Sequence, residues 1–309
     1  MRILMVGAGG VGGYFGGRLA AAGRDVTFLV REARAATLAR DGLRVRSPFG
    51  DIDLPSPQTV TRDTLTTAFD LVIVGCKAYD LAPVIDDIVP AVGPDTAVLP
   101  LLNGMAHLDA LDARFGAARV LGGQCHIAAT LDGEGVIRHL NRTHSLTFGE
   151  RDGSDSARMQ RITAALSNTG FDARPSGHIV QDMWDKWVFL ATLAGVTCLM
   201  RASVGDIMAA PGGREITLEL LGNCLAVAAE AGHAPDEAAN ERTRQSLTEP
   251  GSTLTASMLR DIQRRGPIEA DHIVGDMIER AGRRRASIPL LHIAYAHLKA
   301  YEASRLRAS

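Results

Sequence analysis

Lysine is almost absent from the chain. Of 33 basic residues only Lys77, Lys186 and Lys299 are lysines, and arginine fills every other basic position. An arginine cannot release its proton near neutral pH, whereas a partly desolvated lysine can. Each surviving lysine is therefore a candidate for work that arginine cannot do. Cysteine is scarce too: Cys76, Cys125, Cys198 and Cys224 form no CxxC pair and no metal spacing, so no structural metal is suggested and most read as small buried apolar residues. Aromatic residues make up 5% of the chain, and its two tryptophans, Trp184 and Trp187, flank one of the lysines. The longest uncharged apolar run, Trp187–Met200, is shorter than the roughly 20 residues that span a bilayer. A net charge of −2 with no basic block argues against a nucleic-acid partner. The start "MRILMVGAGG" turns glycine-rich too early for a signal peptide. The expectation is a cytoplasmic protein with no membrane or nucleic-acid partner.

What is present is an ordinary globular composition, 46% hydrophobic and 22% charged over 309 residues, with room for two domains. The first half alternates short apolar runs with helical spacing, the mark of an α/β sheet. "RILMVG", "DVTFLV", "DLVIVGCK" and "TAVLPLLNG" read as strands, and "LRVRSPFGDIDL" as a hairpin. Later segments from Val120 onward read as partly antiparallel strands. From Gly177 the spacing is helical almost throughout, which puts a boundary at the turn residues Pro175-Ser176-Gly177.

Directly after the first strand comes Gly7-Ala8-Gly9-Gly10-Val11-Gly12, a GxGxxG pattern leading into a helix. In that context the glycines have separate tasks: Gly7 the tight turn, Gly9 close approach of a pyrophosphate, Gly12 packing of helix on strand. The reading is α/β: an N-terminal Rossmann-type dinucleotide-binding domain over 1–173, followed by an all-helical C-terminal domain over 174–309. The second strand ends "FLVRE", so Arg31 stands where an arginine accommodates a 2′-phosphate, which favours NADP over NAD. Lys77 and Asn103 close later strands, the ends at which open α/β sheets bind ligands.

Lys186 falls on the apolar stripe Ile179, Met183, Lys186, Leu190 and Leu193, away from Asp182 and Asp185. Burial disfavours the charged form of a lysine and makes it a better acid toward a developing alkoxide. A snorkelling side chain is the plain alternative. Glu269 is a candidate partner for the resulting hydroxyl, but Gly266-Pro267 should interrupt the helical segment before it.

The pieces "GAGGVGG", "LVR", "VGCKAYD", "LLNGM", "WDKW" and "SMLRDI…E…D…I…G", in this order, resemble the ketopantoate reductase (2-dehydropantoate 2-reductase) family over essentially the whole chain. The resemblance implies an active site in a cleft between the two domains, with NADPH as hydride donor. It implies reduction of a 2-oxo acid, 2-dehydropantoate to (R)-pantoate in pantothenate biosynthesis, with Lys186 as general acid. It gives Glu269 the substrate hydroxyl and Ser257 the carboxylate end, with Lys77 and Asn103 positioning nicotinamide and substrate. The family commonly has asparagines where this chain has Leu190, Ala194 and Val204. Those departures leave open a different, less polar 2-oxo or hydroxy acid. A non-catalytic NADP-binding sensor is a reading of another class, and it would need no acid beside its ligand. Apolar residues of the last helices, Leu291, Ile293 and Leu298, are candidates for a homodimer face or for the core.

Overall fold

A computed structural model describes residues 1–308. They divide into two units, one of Met1–Leu102 with His107–Val180, the other of Asn103–Ala106 with the chain from Gln181 onward.

The first unit opens with β1 (Arg2–Val6), α1 (Gly10–Ala21), β2 (Asp25–Leu29) and α2 (Glu32–Asp41). It continues through β3 (Leu43–Arg46), β4 (Ile52–Leu54), β5 (Gln58–Val60), β6 (Leu71–Val74), α3 (Leu81–Asp87), β7 (Ala97–Pro100) and α4 (Ala106–Phe115). The remaining elements are β8 (Gly122–His126), β9 (Ala129–Leu131), β10 (Val136–His139), β11 (Ser145–Gly149), α5 (Ala157–Leu166) and β12 (Asp172–Pro175). Five of these strands make one parallel sheet in the order β5-β2-β1-β6-β7. Strands β6 and β7 are covered on both faces, which is why they read as unbroken apolar runs: all four residues of each are buried. The strand order reverses at β1, so the turn leaving β1 lies at the switch point of the sheet.

Two smaller mixed sheets complete the unit, β4-β3-β10-β9 and β12-β11-β8. Helix α1 fits between the large sheet and the first of these because glycines stand on both of its packed sides. A Cβ on Gly13 would lie 2.3 Å from Ile137 of β10, and one on Gly16 would lie 2.5 Å from Phe28 of β2.

The second unit is helical: α6 (Ile179–Met200), α7 (Val204–Ala209), α8 (Gly213–Glu230), α9 (Glu237–Leu247), α10 (Ser257–Gln263), α11 (Asp276–Glu279) and α12 (Pro289–Ala308). Arg265, with φ +57°, ends the segment after α10, and Pro267 follows two residues later. The chain then re-enters through a π-helical turn, Asp271–Gly275, that runs into α11. Leu291 and Leu298 are fully buried within the unit, whereas Ile293 is exposed. Among the described residues no helix is long and apolar enough to cross a membrane.

The division between units falls after Val180, seven residues beyond the expected 173/174. The cause is packing. The first residue of α6, Ile179, sits against Gly122 of β8 and Gly149 of β11, where any Cβ would collide with it, so the opening of the helix belongs to the first unit.

Candidate functional site

The glycine loop of the first unit has the geometry that a pyrophosphate needs. Gly7 takes φ +90°, a conformation that side chains oppose, and its N–H is tied to the Leu29 carbonyl at 2.9 Å. Gly12 touches the turn so closely that a Cβ would lie 2.2 Å from the Gly7 carbonyl oxygen. Gly9, the N-cap of α1, has no atom within 4 Å of the place its Cβ would occupy. Backbone N–H groups at the start of a 12-residue helix thus border open space, the arrangement that accepts an anion. Ala8 is buried beneath this loop, and its carbonyl accepts a bond from Arg34 Nε at 3.2 Å. Gly10 packs against Ala129 and Val11 is partly buried.

Arg31 is the N-cap residue of α2, just beyond β2, and its side chain is 77% exposed. One nitrogen is bonded to Asp80, which raises the Arg31 pKa further above its ordinary value. The rest of the guanidinium fork faces solvent. Lys77 lies three residues past β6, half-buried, and caps the short 3-10 turn Ala78–Asp80 that carries the Asp80 partner. Arg31 and Lys77 therefore lie just beyond the ends of the two strands that flank β1, the strand that the glycine loop follows.

In the second unit Lys186 is half-buried in the second turn of α6, among the buried Met183, Trp184, Trp187 and Val188. Its neighbour Trp187 is wholly buried and donates from Nε1 to the Ile273 carbonyl at 3.0 Å. Ile273 in turn donates its N–H to the Glu269 carbonyl at 3.0 Å. One chain of hydrogen bonds therefore joins the residue beside Lys186 to the backbone of Glu269, and the π turn provides the carbonyl that makes this possible. Glu269 is half-buried.

Asn103 belongs to the same unit. The ring of His272, a residue of the π turn, hydrogen-bonds the Asn103 backbone. Gly104 follows with φ +79°, and a Cβ there would lie 2.9 Å from the His272 carbonyl oxygen. Burial pushes the His272 ring below its ordinary pKa, against an opposing pull from Glu269 and Asp276. Asp271 and His272 are neighbours in the π turn but have different partners. The structure separates them: His272 supports Asn103, while the exposed Asp271 carboxylate takes bonds from Tyr295 at 2.6 Å and Lys299 at 2.9 Å on α12. Burial alone would raise the Asp271 pKa, but these two donors outweigh it and bring it below the ordinary carboxylate value. The third lysine is thus a structural tie.

Ser257 is exposed at the first position of α10. The segment before it is fixed by Val204 N–H to the Leu254 carbonyl at 3.0 Å, and by Ala256 N–H to Thr197 Oγ1 at 3.4 Å. Of the three residues that stand where asparagines were expected, Ala194 is 3% exposed and Val204 1% exposed, both part of the packing. Only Leu190, one turn after Lys186, keeps accessible surface. Of the cysteines, Cys125, Cys198 and Cys224 are buried, and burial pushes the thiols of Cys198 and Cys224 up to about 12.

The family model described as ketopantoate reductase PanE/ApbA matches residues 3–153, and its C-terminal counterpart matches residues 178–302. An uncharacterized oxidoreductase, YkpB, of Bacillus subtilis is 39% identical over 99% of this chain and 100% of its own length. A 2-dehydropantoate 2-reductase of Halobacterium salinarum is 28% identical over 94% of this chain and 95% of its own. The crystal structure of 2-dehydropantoate 2-reductase from Geobacter metallireducens superposes with a TM-score of 0.87 at 26% identity, covering 97% of this chain and 99% of that one.

Proposed function

The chain belongs to the ketopantoate reductase family, and we propose that it reduces the keto group of a 2-oxo acid with NADPH, 2-dehydropantoate being the leading substrate. Membership makes it an oxidoreductase acting on the CH–OH/C=O couple. The observation that carries the finer reading is Lys186: a half-buried ammonium on an apolar stripe, braced by the Trp187–Ile273 bond.

When bound, NADPH would supply the hydride that the carbonyl carbon takes up. The glycine loop would hold its pyrophosphate, Arg31 its 2′-phosphate, and Lys77 its nicotinamide end. Lys186 gives its proton to the carbonyl oxygen as negative charge develops there, a contribution of about 10²- to 10⁴-fold. Glu269 accepts a hydrogen bond from the hydroxyl so formed. Asn103, supported by His272, positions the substrate, and Ser257 meets its carboxylate end.

A second reading, a 2-oxo acid less polar than dehydropantoate, is favoured by Leu190. An asparagine at that place offers a hydrogen bond worth about 0.5–1.5 kcal/mol net, and a leucine offers apolar surface instead. Initial rates of NADPH oxidation against a panel of 2-oxo acids, with NADH alongside, separate the two. Lys186→Ala should lose turnover by at least about 10²-fold and keep NADPH binding. Turnover that survives the substitution removes Lys186 as the acid. No turnover of any 2-oxo acid by the unaltered protein leaves the sensor reading.

A further inference from the structure

Helix α10 buries Met258, Leu259 and Ile262, which leaves Ser257 and Arg260, three residues apart, on its less buried side. The Arg260 side chain is half-buried and turns back toward the start of the helix. Its Nη1 lies 3.4 Å from both the carbonyl oxygen and Oγ1 of Thr255, two residues before Ser257. Both contacts are long for a guanidinium, and they use one of its three nitrogens. Some partly buried arginines of this chain rest on carboxylates, Arg151 on Asp112, Arg158 on Glu150 and Arg280 on Asp276, and others, Arg24 and Arg119, hold two backbone carbonyls at 2.8–3.2 Å. Arg260 forms no ion pair among the described residues. Burial holds its pKa below the ordinary value; Asp261 offsets this only in part, and the like charge of Arg264 adds to the lowering.

A cation taken out of water without an anion costs free energy that a ligand anion would recover. A planar fork is the geometry that suits a carboxylate. We propose that Arg260, beside Ser257, binds the carboxylate of the 2-oxo acid, an assignment that rests on the reductase reading above. The start of α10 is tied to α6 by Ala256 N–H to Thr197 Oγ1 at 3.4 Å, and Thr197 lies on the stripe of Lys186 about three turns further along the helix. Arg260 also gives the chain an anion reader where Leu190, Ala194 and Val204 offer no side-chain donors. Selectivity then rests on charge at one end of the substrate and on apolar contact along α6.

The test compares each 2-oxo acid with its neutral methyl ester, using NADPH and the whole protein. Arg260→Gln should raise KM for the acid about 10- to 100-fold and leave KM for the ester and NADPH affinity within about twofold. Arg260→Lys, which keeps the charge and loses the fork, should raise the acid KM several-fold with the ester again unmoved. It decides the matter if the glutamine variant does not fold. Equal losses for acid and ester mean that Arg260 only shapes the loop, and an unchanged acid KM means that it binds nothing; either result overturns the assignment. An unaltered protein inactive toward every 2-oxo acid overturns the reductase reading itself, and the assignment with it.

Discussion

Replacing Gly9 and Gly12 separately with alanine distinguishes a nucleotide loop from a merely tight turn. At Gly12 the added methyl would lie 2.2 Å from the Gly7 carbonyl oxygen, whereas ordinary contact begins at 3.4 Å. Strand and helix must therefore separate by more than about 1 Å, and overpacking of this kind costs about 1–3 kcal/mol. For a unit of this size each kcal/mol lowers the melting midpoint by about 2–4 °C. At Gly9 the methyl meets nothing within 4 Å, and the backbone there has φ −85°, which alanine tolerates. Gly9→Ala should melt with the unaltered protein. It should nevertheless bind NADPH more weakly, because the methyl occupies the space through which a pyrophosphate reaches the backbone N–H groups. Loss of one bond to a charged group is worth about 1.5–3 kcal/mol, or about 10- to 100-fold in Kd. Thermal melts read the first effect and a fluorescence titration with NADPH the second. A Gly9→Ala protein with unaltered melting and unaltered NADPH affinity would refute the assignment of this loop to the pyrophosphate.

Trp187→Phe removes the indole donor to the Ile273 carbonyl, a hydrogen bond worth about 0.5–1.5 kcal/mol net. Urea unfolding should show that loss and steady-state assays a lower kcat, with NADPH affinity kept. Arg31→Ala should weaken NADPH about 10- to 100-fold and leave NADH unaffected; equal effects on both cofactors would place the 2′-phosphate elsewhere. Burial lowers the pKa of His144, His272 and His297. Below the unfolded value of about 6.5 the unfolded chain therefore binds more protons than the folded one. Stability is full above that pH and falls as pH drops through it toward the lower folded values. Denaturant midpoints at pH 7.5 and 5.5 should differ less in His272→Gln than in the unaltered protein.

Strand and helix periodicity made most of the fold legible, because those elements bury a face or a core. β6 and β7 are continuous apolar runs, and α6 carries a stripe nearly from end to end. Elements with little buried surface left no comparable signal. α9 has only Ala239 and Leu247 buried, and Asp236, whose carboxylate accepts the Ala239 N–H at 2.7 Å, begins it through capping rather than periodicity. β5 has no fully buried residue and exists because β2 lies beside it. The interruption at Gly266-Pro267 was legible, but the φ +57° of Arg265 that ends the first segment and the π turn and new helix after it were not.

The candidate site divides along the same line. Residues whose task is steric were visible as composition, since only glycine fits where Gly7 and Gly12 sit. A lysine on an apolar stripe was visible as an anomaly of pattern. The supporting contacts were not, because they join residues far apart in the chain: Trp187 to Ile273, His272 to Asn103, Ala256 to Thr197. Only one hint of them stood in the sequence, a tryptophan beside the lysine whose N–H needs a partner once it is buried. That bond transmits position from α6 to the π turn, and the π turn holds both Glu269, through the Ile273 N–H, and Asn103, through His272. Lys186, Glu269 and Asn103, the proposed proton donor, hydroxyl acceptor and substrate-positioning amide, thus share one short backbone segment as support. A change that loosens the π turn should therefore disturb all three groups together, whereas a change to any one side chain should not.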